Sequence, residues 1–400
     1  MHRQICGNSR QLSIIISPAQ LHAGCAEGSI SVKIVLFGLT ISSSWGNGHA
    51  TPYRAILRAL SAMGHEVVFF EKDAEYYRSR RDFTSCDYCC IVLYEDWDAI
   101  RRQALKEAAS ADVVITASYL PQGRRINQEI LELSRPLRIF YDLDTPITLS
   151  GLESGNESDG VEYLRPDQIA GFDLVLSFAG GPILTELEQK YGARMARPLY
   201  GCVDPDDYLR VQPIPNFACD LSFMGTYASD RQERVEELFL EPARRHPEKT
   251  FMLAGSLYPW EWRWPENVRR IEHVSPHAHP GFYSSSRITL NITRAEMARC
   301  GWCPSGRFFE AAACATPLIS DWWEGLDWFF DVVRDIRVVA RAEHVENALN
   351  MTEGELRALA LHARERTLDD HTGQVRARQL LQYLEEARLV TSATKSEAAP

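Results

Sequence analysis

The chain has 400 residues, 45% hydrophobic and 24% charged, with a formal net charge of -11. That length suits two domains or more, and the mix is an ordinary globular one. The acidic balance excludes a general nucleic-acid binder, whose footprint is basic, and no run approaches 18 consecutive apolar residues, so no membrane-spanning helix is expected.

Residues 1–30 begin with a basic stretch and an apolar core, LSIII, of about five residues, shorter than the roughly 7–15 of a secretion signal. They are read as a disordered extension, and the protein is expected in the cytoplasm. Ten cysteines suit reduced thiols, several of them in apolar runs such as CCIVLY and EAAACA. Two CxxC pairs, Cys86/Cys89 and Cys300/Cys303, lie too far apart for a zinc finger and have no histidine at ligand spacing, so no metal site is expected.

From residue 31 the chain alternates short apolar runs with helical periods. Strands are predicted at 32–39, 65–71, 111–118, 137–144, 173–180 and 196–201, with amphipathic helices between them. That spacing implies a parallel sheet covered on both faces. Two prolines within VQPIPN (211–216) mark a linker. The pattern then restarts at 220–225, 250–255, 268–272, 287–293, 317–320 and 336–340, with helices to about Glu386. The fold class is therefore α/β: two Rossmann-like doubly wound domains, 31–210 and 217–388, facing a cleft. The terminal helices pack back towards the first domain, and 389–400 is expected to be a disordered tail.

Ligands of such sheets bind beyond the carboxyl ends of the strands, where most candidate site residues fall. The loop after the first strand, SSSWGNGHATP, contains Gly46 and Gly48, which allow close approach, and His49; a glycine loop opening a helix is an anion site. YDLDTP (141–146) ends a strand with Asp142 and Asp144, read by period-2 alternation as sharing a face and suited to sugar hydroxyls or general-base work; the plainer reading is a helix cap. Gly225 and Thr226 follow the first strand of the second half, again at the start of a helix. Asn291 and Arg294 end LNITR, and Arg294 offers a bidentate cation for phosphate.

The most informative stretch is CPSGRFFEAAACATPLISDWWEG (303–325). Arg307 and Glu310, three residues apart on a helix, share one face. A simple intrahelical ion pair does not explain the run of small residues after them, which lets a sheet or a ligand approach closely. A carboxylate there is placed to take both hydroxyls of a ribose, and Arg307 near the helix N-terminus suits a diphosphate.

These residues resemble the group-1 glycosyltransferases of the two-Rossmann-domain (GT-B) fold, specifically the CgeB-like spore-maturation branch. PSGRFFEAAACATPLISDWWEGLDWFF carries the resemblance, supported by LNITRAEM, FMGTYASDRQ and YDLDTPITL, over roughly residues 32–335; WGNGHATP is similar to the first glycine loop of MurG-type transferases. The resemblance implies that Glu310 binds the nucleotide ribose, that Arg307 and Arg294 hold the donor diphosphate, and that Gly46 to His49 face the transferred sugar or the acceptor. Two positions depart from the pattern: Trp302 stands where many group-1 enzymes carry a second Glu, and Ala315 replaces a Gly after the helix.

The expected activity is transfer of a sugar from a nucleotide-diphosphate sugar to an acceptor hydroxyl by a hexosyltransferase-type enzyme. It would need no cofactor or metal, and the resemblance implies retention of configuration. If the enzyme inverts instead, His49 or Asp142 is the base candidate. Its partners would be the nucleotide sugar and a small-molecule or glycan acceptor, with no nucleic acid. The alternatives are a nucleotide-sugar epimerase or hydrolase of the same fold, and a non-catalytic nucleotide-sugar-binding protein.

Overall fold

The computed structural model describes residues 14–16, 31–83, 86–153, 161–259 and 261–397. The chain divides into two compact units, one of Met1–Tyr200 with Arg376–Pro400 and one of Gly201–Val375.

The first unit contains β1 (Ile14–Ile16), β2 (Lys33–Gly38), β3 (Glu66–Lys72), β4 (Cys90–Tyr94), β5 (Val113–Ala117), β6 (Leu137–Asp142), β7 (Leu174–Ser177) and β8 (Ala196–Pro198). They form one sheet in the order β1-β4-β3-β2-β5-β6-β7-β8, parallel except for β1 against β4. The central strands are largely apolar, as strands of a sheet covered on both faces are; β5 is buried along its whole length.

The second unit contains β9 (Cys219–Met224), β10 (Phe251–Ala254), β11 (Val268–Ile271), β12 (Ser286–Asn291), β13 (Leu318–Ser320) and β14 (Arg337–Val338). All are parallel, in the order β11-β10-β9-β12-β13-β14. Each sheet thus reverses its strand order once, between β2 and β5 and between β9 and β12. Beyond the carboxyl ends of those strand pairs, neighbouring loops diverge and leave a crevice for a ligand.

The expected α/β doubly wound units are present, with several differences in detail. β4 was not anticipated: only a four-residue helix, Glu75–Arg78, precedes it, so the helical spacing that marked the other strands is missing. β1 falls within 1–30; the rest of that segment lies outside the described residues. The expected linker 211–216 is not the boundary. Its Val211 and Ile214 amides donate to the Ser284 and Ser285 hydroxyls (3.0 and 2.7 Å), which fixes it to the second unit. The expected tail is helical as far as Glu397, an extension favoured by its Ala, Lys and Glu content. The last helix clusters with the first unit, where Arg376 donates to the Tyr200 carbonyl (3.1 Å) and Glu386 pairs with Arg197 (3.2 Å).

Candidate functional site

In the second unit, β9 runs into Gly225 and Thr226 before the helix Ser229–Val235. Gly225 donates its amide to the Ala254 carbonyl (2.8 Å), so that amide belongs to the sheet and not to an anion. The glycine provides space instead. A Cβ on it would lie 2.5 Å from Arg307 Nη1 and 2.8 Å from Arg231 Nη2, and one on Gly255 would lie 1.9 Å from the Gly225 oxygen. Two guanidinium groups therefore close over a bare piece of backbone.

Arg231 was not among the residues singled out in the sequence. It is only 4% exposed. Its guanidinium donates to the carbonyls of Thr226 and Ile292, Nε has no hydrogen-bond partner, and no carboxylate forms an ion pair with it among the described residues. Burial, followed by the positive charge of Arg307, brings its pKa down to about 10. Arg307, at the start of the helix Gly306–Ala313, donates to the Met224 carbonyl and to Ser305 Oγ (3.0 Å). Like Arg231, it has no ion-pair partner among the described residues. A buried cation beside a half-buried one, neither with a counter-ion among the described residues, carries an electrostatic cost that a bound anion relieves.

The other predicted residues of this unit divide. Asn291 ends β12 and donates to Thr293 and Ser320; its Oδ1 is buried without a partner and lines a small pocket with Met224, Tyr283 and Arg307. Arg294 is partly exposed, and its Nε donates to Asp230 (3.4 Å). Thr226 is exposed. Glu310 is 6% exposed. Its Oε2 accepts from the Tyr283 hydroxyl (3.4 Å) and faces His279 Nδ1 (3.3 Å). Burial and the Glu310 charge hold the Tyr283 pKa well above its ordinary value, so the phenol keeps its proton. His279 Nε2 donates to the Val274 carbonyl (3.1 Å), which fixes the ring. The helix ends with Ala315 at φ +51°, accepting strain that glycine would avoid.

In the first unit, the loop after β2 is built around an internal acid. Glu71 accepts from the Ile41 and Ser42 amides (2.9 and 3.0 Å) and from the Ser42 hydroxyl, so the protein's own carboxylate fills this nest of amides. Asn47 Oδ1 receives the His49 amide (3.0 Å) and sets the start of the helix Ala50–Ala62. Gly46 takes φ +60°, whereas a Cβ at Gly48 would meet nothing.

His49 Nε2 lies 2.7 Å from Asp144 Oδ2, while its Nδ1 is buried without a partner. Asp142 and Asp144 do not share a face, because β6 stops at Asp142 and the helix Thr145–Glu153 begins directly after the turn. Asp142 is 2% exposed; its Oδ1 accepts from the Asp144 amide (3.1 Å) and the Thr148 hydroxyl (2.8 Å). Burial pushes its carboxyl up to about 7, against the lowering effect of those two donors. Asp142 thus braces the turn, and Asp144 is the acid that reaches histidine.

Among solved structures, sucrose-phosphate synthase from Thermosynechococcus elongatus is similar over 89% of this chain and 98% of its own, at 13% identity and a TM-score of 0.61. Anabaena HepE in complex with UDP-glucose is similar over 89% and 100%, at 10% identity and a TM-score of 0.62. An alpha-glucosyltransferase in complex with UDP-glucose and DNA containing an abasic site covers the same shares, at 10% identity and a TM-score of 0.63. The fold is GT-B. Residues 231–382 match the family model described as glycosyl transferase-like. No curated protein matches the sequence significantly. Among the described residues no cluster of three or more His, Cys, Asp or Glu could hold a metal ion, and no helix is long and apolar enough to cross a membrane.

Proposed function

We propose that the chain is a hexosyltransferase of the CgeB-like branch that takes a nucleotide-diphosphate sugar as donor. The observation that carries this reading is the pair of guanidinium groups, Arg231 and Arg307, held over Gly225 without a carboxylate. A diphosphate supplies the missing charge, and as the glycosidic bond breaks the leaving group becomes more negative, so fixed cations stabilise the transition state more than the ground state. This is how the site would work without a metal. Glu310 takes ribose hydroxyls through the oxygen that faces neither Tyr283 nor His279, and Asn291 Oδ1 accepts a donor group of the ligand. Because HepE and the alpha-glucosyltransferase were solved with UDP-glucose, that is the first donor to test.

The resemblance implies retention, but the His49–Asp144 pair favours inversion. A carboxylate 2.7 Å from Nε2 orients the ring and stabilises the imidazolium formed when Nδ1 takes a proton from an acceptor hydroxyl. Retention by front-face attack needs no such base. The test is nucleoside-diphosphate release from a panel of nucleotide sugars with and without acceptor glycans, with the anomeric configuration of the product read by NMR. Turnover that depends on acceptor supports transfer. Equal turnover without acceptor favours the hydrolase or epimerase, and binding without turnover favours a nucleotide-sugar-binding protein.

A further inference from the structure

We propose that Cys86 and Cys89 are a site of reversible oxidation, in which a peroxide-class oxidant closes an intramolecular disulfide that alters the packing beneath the His49 loop. Both side chains are buried in the segment leading into β4, and their sulfurs are 3.2 Å apart. A covalent bond requires them to approach by only about 1 Å. The pair is asymmetric: the Cys89 amide donates to Cys86 Sγ (3.2 Å), and the Cys89 thiol is placed to donate to the same sulfur. These bonds stabilise the Cys86 thiolate and lower its pKa, while Cys89 is held protonated. Cys86 is therefore the nucleophile and Cys89 the resolving thiol.

The chemistry balances with hydrogen peroxide, a small oxidant suited to a residue only 4% exposed. The Cys86 thiolate attacks one peroxide oxygen, the O–O bond breaks, and a sulfenic acid and hydroxide form. Cys89 then attacks the sulfenic sulfur, its proton leaves with the hydroxyl as water, and the disulfide closes. Two thiols are oxidised and one peroxide is reduced to two waters.

The bond matters because of what the segment supports. Tyr88, between the two cysteines, has its ring 5.9 Å from Phe83 and lies under the Arg58 guanidinium (5.3 Å). Arg54 spans Phe83 (4.9 Å), Asp82 (2.7 Å) and the Ile41 carbonyl (2.7 Å). Arg80 stacks on Trp45 (3.6 Å), its carbonyl accepts from the Ser43 hydroxyl (2.9 Å), and Arg81 donates to Ser42 Oγ (3.0 Å). The loop carrying Gly46 and His49 therefore rests on Arg80 to Phe83, which pack against Tyr88, and a change at Cys86–Cys89 reaches it through packed side chains. Any effect on catalysis rests on the proposed role of His49; the thiol chemistry and the loop response do not.

The reduced full-length chain is treated with hydrogen peroxide, alkylated under denaturing conditions and mapped by peptide mass spectrometry. The expected result is a Cys86–Cys89 peptide lighter by two hydrogens, restored by dithiothreitol. The Cys89→Ser variant should stop at a dimedone-trappable sulfenic acid on Cys86, and Cys314→Ser should still form the bridge. Hydrogen exchange should change in residues 40–49 and 80–83 on oxidation, a readout that an enzymatically inactive protein still gives. Cys86 and Cys89 remaining as alkylatable as Cys314, or a bridge forming with exchange in 40–49 unchanged, would overturn the proposal.

Discussion

Replacing Arg231 with Met tests whether its buried charge serves a ligand or the fold. Its pKa falls from 12.5 to about 10 in the folded chain, so at any pH below 10 the charged form costs folding about 3 kcal/mol, at 1.36 kcal/mol per unit. The sign follows from the depressed value: the cost is fully present below the folded pKa and disappears only above the unfolded one. Methionine removes that cost and keeps the stem volume, but forfeits the bonds to the Thr226 and Ile292 carbonyls, about 1 kcal/mol each. The balance is a gain of about 1 kcal/mol, or an upward Tm shift of about 2–4 °C for a unit of this size. Nucleoside-diphosphate affinity moves the other way. A lost charge-assisted bond is worth about 1.5–3 kcal/mol, so Kd rises roughly tenfold to a hundredfold. Scanning calorimetry on the free protein and titration calorimetry with uridine diphosphate measure both. A lowered Tm with unchanged Kd would refute the reasoning and make Arg231 a structural residue.

His49→Ala should lower kcat by about 10²- to 10⁴-fold while leaving donor affinity unchanged; steady-state kinetics and calorimetry check this, and a variant as active as the wild type would exclude the base. Asp142→Asn should flatten one part of the pH–stability curve. With the folded carboxyl at about 7, the wild type loses stability as pH rises from about 4 to 7, by about 4 kcal/mol in all, and the amide loses none by this route; urea unfolding at pH 4.5 and pH 8 gives the difference, and an equal gap at both values contradicts it. Ala315→Gly should stabilise the chain by about 0.5–1 kcal/mol by relieving the positive φ, read as a higher urea midpoint; a lower midpoint counts against this.

Most of the fold was legible because parallel strands buried on both faces appear as continuous apolar runs at regular spacing. VKIVLFGL and DLVLSFAG declare themselves; CCIVLY does not, since the stretch before it has no helical period. The site was legible where chemistry is written locally. His49 beside two glycines and Arg307 ahead of a small-residue run stand out in sequence. Arg231 does not, because burial beneath Arg307 depends on where β9 and β12 place their loops. The same holds for Asp142 and Asp144. Period-2 alternation put them on one face, but the turn into the next helix separates a bracing acid from the one that meets His49, 95 residues away. Arg294 carries no sign in sequence of its contact with Asp230, 64 residues earlier.

A crystal structure with uridine diphosphate bound tests the central claim most directly. The account predicts diphosphate oxygens within hydrogen-bonding distance of both Arg231 and Arg307, above Gly225. A diphosphate bound elsewhere, with those two guanidinium groups still turned only to acceptors of the protein itself, would contradict it.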